Sequence, residues 1–167
     1  MDVIIETPKG SQVKYAWDKK AKTCRAKKLL ADGLSFPYDF GFIPDTTGED
    51  GDPLDVMVVS EFSTYPGSVM DVRIIGCIKV KQAAHPPLIQ NDRYIAVPSI
   101  SRDFDSITQL YQLPDFLLQE ITGFLRAYIE AEGKKINIEG FLNADESLSR
   151  IGAEIDGNWT KLVARIF

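Results

Sequence analysis

Polar and apolar residues alternate with period two along Gln12-Val13-Lys14-Tyr15-Ala16-Trp17, which predicts a half-buried strand. Val3 to Glu6 is a short apolar run closed by Pro8 and Gly10, and Asp18 to Thr23 is polar enough for a turn. Leu54 to Val59, Val69 to Val80 and Tyr94 to Val97 are rich in β-branched residues and predict strands, with Tyr65-Pro66-Gly67 as a turn before the second and Pro98 closing the third. Ile136 to Leu142 is a late strand. The last third changes period. Phe116, Leu117, Ile121, Phe124, Leu125 and Tyr128 recur at three- and four-residue steps, so one helical stripe follows Pro114, whose missing N–H costs nothing at a helix start, and Gly133 ends it. Asn143 followed by Glu146 has the form of a capping box. Leu148, Ile151, Ile155, Trp159, Leu162 and Ile166 then make a second stripe, which Gly152 and Gly157 weaken by about 1 kcal/mol each. Short strands followed by two helices predict an α+β fold, an OB-like closed antiparallel β-barrel with flanking α-helices.

Length fits one domain over residues 1–167, since domains run to roughly 100–200 residues. Apolar residues make up 44% and charged residues 26%, which is ordinary for a globular protein and excludes disorder and fibrous classes. The net charge of −5 argues against a nucleic-acid partner, because phosphate backbones need a cation surplus. An anionic ligand must find local cations or bring metal ions. Cys24 and Cys77 carry no motif and read as reduced thiols. No stretch approaches the ~18 apolar residues of a membrane helix, and the start lacks a basic n-region, so a cytoplasmic location and no membrane partner are expected. The single histidine, His85, sits in a proline-rich loop with no orienting partner and reads as exposed, which leaves little room for histidine chemistry.

Chemistry concentrates in Gly48-Glu49-Asp50-Gly51-Asp52-Pro53-Leu54-Asp55. Such a run is either a solvated acidic loop or a set of carboxylates gathered by a cation. Asp55 favours the second reading, because it opens an apolar strand in which an unpartnered carboxylate is costly. Oxygen-only ligands favour Mg²⁺, Mn²⁺ or Ca²⁺. An EF-hand is excluded: with Gly51 in sixth place, the first place falls on Thr46 and the twelfth on Met57.

Asp-Gly-Asp-Pro-Leu-Asp-Val at 50–56 resembles the signature of soluble family I inorganic pyrophosphatases. Val-Ile-Ile-Glu at 3–6, Val-Lys-Tyr at 13–15, Phe-Pro-Tyr-Asp-Phe-Gly-Phe-Ile-Pro at 36–44, Pro-Gly-Ser-Val at 66–69, Ile-Ala-Val-Pro at 95–98 and the helix through Tyr128 follow in the family's order. The resemblance covers roughly residues 2–142 and implies a five-stranded barrel. It also implies Mg²⁺-dependent hydrolysis of inorganic diphosphate to two phosphates by a metal-activated water, with Mn²⁺ as a substitute. Carried over by position, Asp50 and Asp55 resemble metal ligands, joined by Asn91 or Asp92. Asp52 resembles the group that orients or deprotonates water, and Glu6 an active-site acid. Lys14, Lys28, Arg93 and Tyr128 match phosphate-binding positions. A homo-oligomer is implied too, a hexamer in bacterial relatives.

Several positions depart from the family pattern. A glutamate is replaced by Ala16, an arginine by Lys28, two tyrosines by Phe36 and Phe40, and a lysine by Ile129. An early acidic pair falls near Gln82 and Ala83. Counting back from Ile-Ala-Val-Pro, a late aspartate falls on Asn91 and a lysine on Arg93. The central aspartates are intact, so a divergent pyrophosphatase is expected. The alternatives are a non-catalytic homologue that binds a phosphoanhydride and a hydrolase of a different phosphoanhydride.

Overall fold

The computed structural model describes the backbone of residues 1–166 and the side chains of residues 1–155. Its elements run β1 (Asp2–Thr7), β2 (Val13–Asp18), β3 (Thr23–Leu29), β4 (Asp39–Phe42), β5 (Asp55–Val58), β6 (Val69–Ala83), β7 (Ile89–Gln90), β8 (Arg93–Pro98), α1 (Asp115–Ala131), β9 (Lys135–Asn143) and α2 (Ala144–Ile166). Hydrogen bonds close a five-strand ring in the order β1-β4-β5-β8-β6 and back to β1. The α+β class and the ring with helices beside it agree with the sequence pattern. One seam does not: β5 pairs β8 in parallel, with Asp55 opposite Arg93, while the other four are antiparallel. β7 and β9 extend β6, and β2 and β3 form a separate two-stranded hairpin.

The continuous apolar run of β5 has a physical reason, since its two faces enter different cores. Val56 and Val58 join Val3, Ile5, Val72, Ile74, Tyr94 and Ala96, residues drawn from around the ring, and Ile151 of α2 closes onto this set. Met57 and Val59 face the other way, toward Phe36, Ile75, Ile95 and the buried stripe of α1. That stripe is Leu117, Ile121, Phe124, Leu125, Tyr128 and Ile129. Phe116 was expected on it but is 67% exposed. At 100° per residue it lies well round the helix from Ile121 and Tyr128.

The helix ends follow the sequence signals. Pro114 is the N-cap of α1, and Gly133, at φ +74°, donates its N–H to Glu130 O at 2.9 Å. Asn143 and Glu146 make the reciprocal cap: Glu146 N donates to Asn143 Oδ1 at 2.9 Å and Asn143 N to Glu146 Oε2 at 3.0 Å. α2 passes through Gly152 without a break. Leu148, expected on its apolar stripe, is half exposed. The expectations at Gly157, Trp159, Leu162 and Ile166 lie outside the residues whose side chains are described. Among the described residues no helix is long and apolar enough to cross a membrane.

Candidate active site

A cavity of about 760 Å³ opens where the ring, the β2–β3 hairpin and the end of α1 meet. Glu6 reaches it because the β1–β4 register slips between Ile5 and Thr7, which leaves Glu6 as the extra residue of a β-bulge. Bulges re-aim side chains in this way. The backbone N–H of Trp17 donates to Glu6 Oε1 at 2.7 Å and holds the carboxylate at the cavity wall. The fully buried Thr7 beside it ties the hairpin to the ring, accepting from Tyr15 N at 3.0 Å.

The acidic loop is built by its own backbone. Gly48 N donates to Asp52 O at 2.7 Å, and Gly51 N to Gly48 O at 3.1 Å, a turn that Gly51 permits at φ +87°. Buried Thr46 anchors its far side, taking Leu54 N at 3.0 Å and donating to Ile43 O at 2.7 Å. Asp50, Asp52 and Asp55 thereby line the cavity with Glu6. Burial, and then the neighbouring carboxylates of Asp52 and Asp55, push the Asp50 carboxyl above its ordinary range, opposed by the Asp52 N–H and Arg93. Glu6 is raised as well, first by burial, with Asp55 and Asp52 adding to it against the Trp17 N–H and Lys14.

Basic groups line the same cavity. Lys14 and Lys28 are paired across the hairpin, and a register slip makes Lys27 the extra residue beside them. The Lys14 and Lys28 ammoniums lie 5.6 and 4.8 Å from the Tyr128 ring centroid. Lys28 also forms an ion pair with Glu132, which Lys134 approaches at 3.0 Å. Phe36 and Phe40, which stand where the family pattern has tyrosines, are buried core residues. Phe36 packs against Tyr128 at 5.6 Å, and Lys14 lies 5.2 Å above the Phe40 ring. Ala16 and Ile129 line the cavity with no polar group to offer.

Arg93 lines the cavity as well. Arg93 is 5% exposed, and its guanidinium pairs with Asp55 Oδ2 at 2.8 Å. It also donates to the Asn91 carbonyl at 2.7 Å and to the Asn91 side-chain oxygen. Asn91 and Gln82 line the cavity, but Asp92 does not. Asp92, expected as an alternative ligand, accepts from Val80 N at 3.0 Å and pairs with Arg150 of α2 at 2.5 Å.

The donors among the acidic residues are all oxygen, and burial, with like charge adding to it, raises the proton affinity of Glu6 and Asp50, which fits a hard divalent cation. Among the described residues no three acidic, thiol or imidazole groups form a ready-made ligand cage. The Gln82–Asn91 corner fits such an ion poorly, because its side chains are neutral amides and Arg93 is already bonded there.

The inorganic pyrophosphatase family model matches residues 3–157. The chain belongs to the inorganic pyrophosphatase family. The inorganic pyrophosphatase of Sulfolobus acidocaldarius is 36% identical over 154 residues, spanning 90% of this chain and 87% of that one. The crystal structure of the Thermus thermophilus inorganic pyrophosphatase superposes with a TM-score of 0.86 at 30% identity, covering 95% of this chain and 90% of that one. A Coxiella burnetii inorganic pyrophosphatase gives 0.85 at 30% identity, with 93% and 92% covered. By this homology the chain is a hydrolase of the inorganic diphosphatase class. Within that pyrophosphatase frame, sequence reasoning passed over Glu132 and Lys134. Glu132 stands four residues after Tyr128, a spacing that puts both on one helix face and was the available signal.

Proposed function

We propose that this cavity hydrolyses inorganic diphosphate to two phosphates with Mg²⁺, Mn²⁺ being able to substitute. The observation that carries the reading is that one cavity is lined both by Glu6, Asp50, Asp52 and Asp55 and by Lys14, Lys28 and Tyr128. Asp50 and Asp55 would hold divalent cations, which supply Lewis acidity and lower the pKa of water when bound. Asp52, with Glu6, orients the attacking water and accepts its proton. Lys14 and Lys28 take up the charge of the phosphoryl oxygens, and the Tyr128 hydroxyl donates to them. The water oxygen bonds to one phosphorus as the bridging P–O bond breaks. The bridging oxygen leaves with the second phosphate, where the basic groups offset its charge.

Phosphate release from diphosphate, followed by a malachite-green assay in Mg²⁺, tests the reading. Release by the wild type that falls about 10²- to 10⁴-fold in Asp52→Ala is expected. No release above that variant, in Mg²⁺ or Mn²⁺, overturns it. The neutral amides at Gln82 and Asn91 favour a second reading, a homologue that binds diphosphate or another phosphoanhydride without turning it over. That reading predicts thermal stabilisation by diphosphate with no phosphate release from any substrate; release from tripolyphosphate or nucleotides alone would mark a hydrolase of a different phosphoanhydride instead.

The reading extends to one pyrophosphatase-like domain over residues 1–167, located in the cytoplasm. It also includes a homo-oligomer, hexameric as the family resemblance implies. Sedimentation of the purified chain tests the assembly.

A further inference from the structure

Arg93 opens β8, and its cationic head is enclosed by oxygens from three segments of chain. Asp55 Oδ2 of β5 lies at 2.8 Å, the Asn91 carbonyl at 2.7 Å, and the Asn91 side-chain oxygen is bonded as well. Gln82 Oε1, at the end of β6, is 3.4 Å from the second amino group, and the Asp92 carbonyl 3.4 Å from the first. The side chain is 6% exposed, so water screens it little. Oxygen donors converging from separate segments on one buried positive charge are what a bound hard cation also requires. Here the charge is covalently attached. One guanidinium meets one carboxylate and neutral amides, so the corner carries no surplus negative charge to attract another cation. A divalent ion placed beside the guanidinium would be repelled in this poorly screened site.

We propose that the Arg93 guanidinium is a tethered cation that takes the place of a divalent metal ion in the corner formed by Asp55, Asn91 and Gln82. Exchangeable ions are then confined to the side of the cavity lined by Asp50, Asp52 and Glu6. Asp55 is shared between the fixed charge and those ions. A tethered cation is present at every metal concentration, so this corner stays neutralised when free Mg²⁺ is scarce. The inference rests on the reading that the cavity takes up divalent ions for diphosphate hydrolysis.

Mn²⁺ uptake by the purified full chain, followed by the electron-spin-resonance signal of free Mn²⁺ and by calorimetry, tests it. Asn91→Asp alone should leave the number of bound Mn²⁺ unchanged, because the new carboxylate pairs with the guanidinium. Asn91→Asp combined with Arg93→Met should take up about one more Mn²⁺ per chain, and millimolar methylguanidinium should compete with that ion but not with wild-type uptake. A gain of Mn²⁺ in Asn91→Asp with Arg93 in place overturns the proposal. So does a folded double variant with no gain. Should the double variant fail to fold, the near-isosteric Asn91→Asp arm decides alone. Failure of the underlying reading looks different: the wild type itself takes up no Mn²⁺, and both ideas fall together.

Discussion

Lys14 and Lys28 are register partners across the β2–β3 hairpin, and both ammonium groups lie over the ring of Tyr128. Like charges placed opposite one another on a ladder destabilise it. Two features offset that repulsion: the negative face of the Tyr128 ring and the ion pair from Lys28 to Glu132. The second holds Lys28 back from an incoming phosphate. Glu132→Gln should therefore lower KM for diphosphate by about three- to tenfold while changing stability by under about 0.5 kcal/mol, since the pair is partly solvated. Steady-state kinetics and urea unfolding of the variant measure both. A raised KM would show that Glu132 positions Lys28 instead of restraining it.

Two glycines should respond in opposite directions to the same substitution. A Cβ on Gly41 would stand 2.0 Å from the Ile4 carbonyl oxygen, so Gly41→Ala must part β1 from β4, at a cost of about 3 kcal/mol or more. Gly123, exposed within α1, has nothing within 4 Å of such a Cβ, and Gly123→Ala should stabilise by about 0.5–1 kcal/mol. Urea midpoints of the two variants check the contrast.

Acid resistance should depend on Glu61. Its carboxylate accepts the Arg102 N–H at 2.8 Å and the Ser101 hydroxyl at 2.7 Å, and these bonds, the Arg102 one foremost, hold its pKa down at about 2. A carboxyl whose folded pKa is depressed adds stability above its unfolded value near 4.5, and that stability fades as pH falls toward about 2. Glu61→Gln should melt lower than wild type at pH 6, and the gap should close by about pH 2. A gap that stays constant across a melting series in pH would exclude this origin.

Glu6 carries the opposite sign. Burial and the nearby aspartates raise its proton affinity, so without a cation the fold loses stability as pH climbs above the ordinary value of 4.5. Glu6→Gln should melt higher than wild type in EDTA at pH 7 and should gain less from added Mg²⁺. Its turnover should fall by about 10²-fold or more, as expected when a group aiding proton transfer is removed. Calorimetry with and without Mg²⁺, beside the phosphate assay, reads all three.

Most of the ring strands were legible because each has a face in a core, and period-two or continuous apolar runs report that burial. β3 was not, since Thr23 to Leu29 is mostly exposed and carries no apolar alternation; it is a strand because β2 lies beside it. β4 was passed over as well, four residues long with Gly41 in its middle. Phe116 was misplaced because an apolar residue next to a stripe is indistinguishable from one on it until the helix is docked. The acid-rich loop and its turn glycine could be read directly, as could the cap at Asn143.

Local chemistry along the chain determined the α+β class, the aspartate cluster and the family motif, because those depend on residue type and short spacing. The side-chain directions at the cavity depended on long-range pairing. A bulge aims Glu6 inward, and the parallel β5–β8 seam sets Asp55 against Arg93. Neighbouring residues of one loop part, Asn91 to the cavity and Asp92 to Arg150. Register and strand direction are fixed only when distant segments pack, so the electrostatics of this site belong to the tertiary structure.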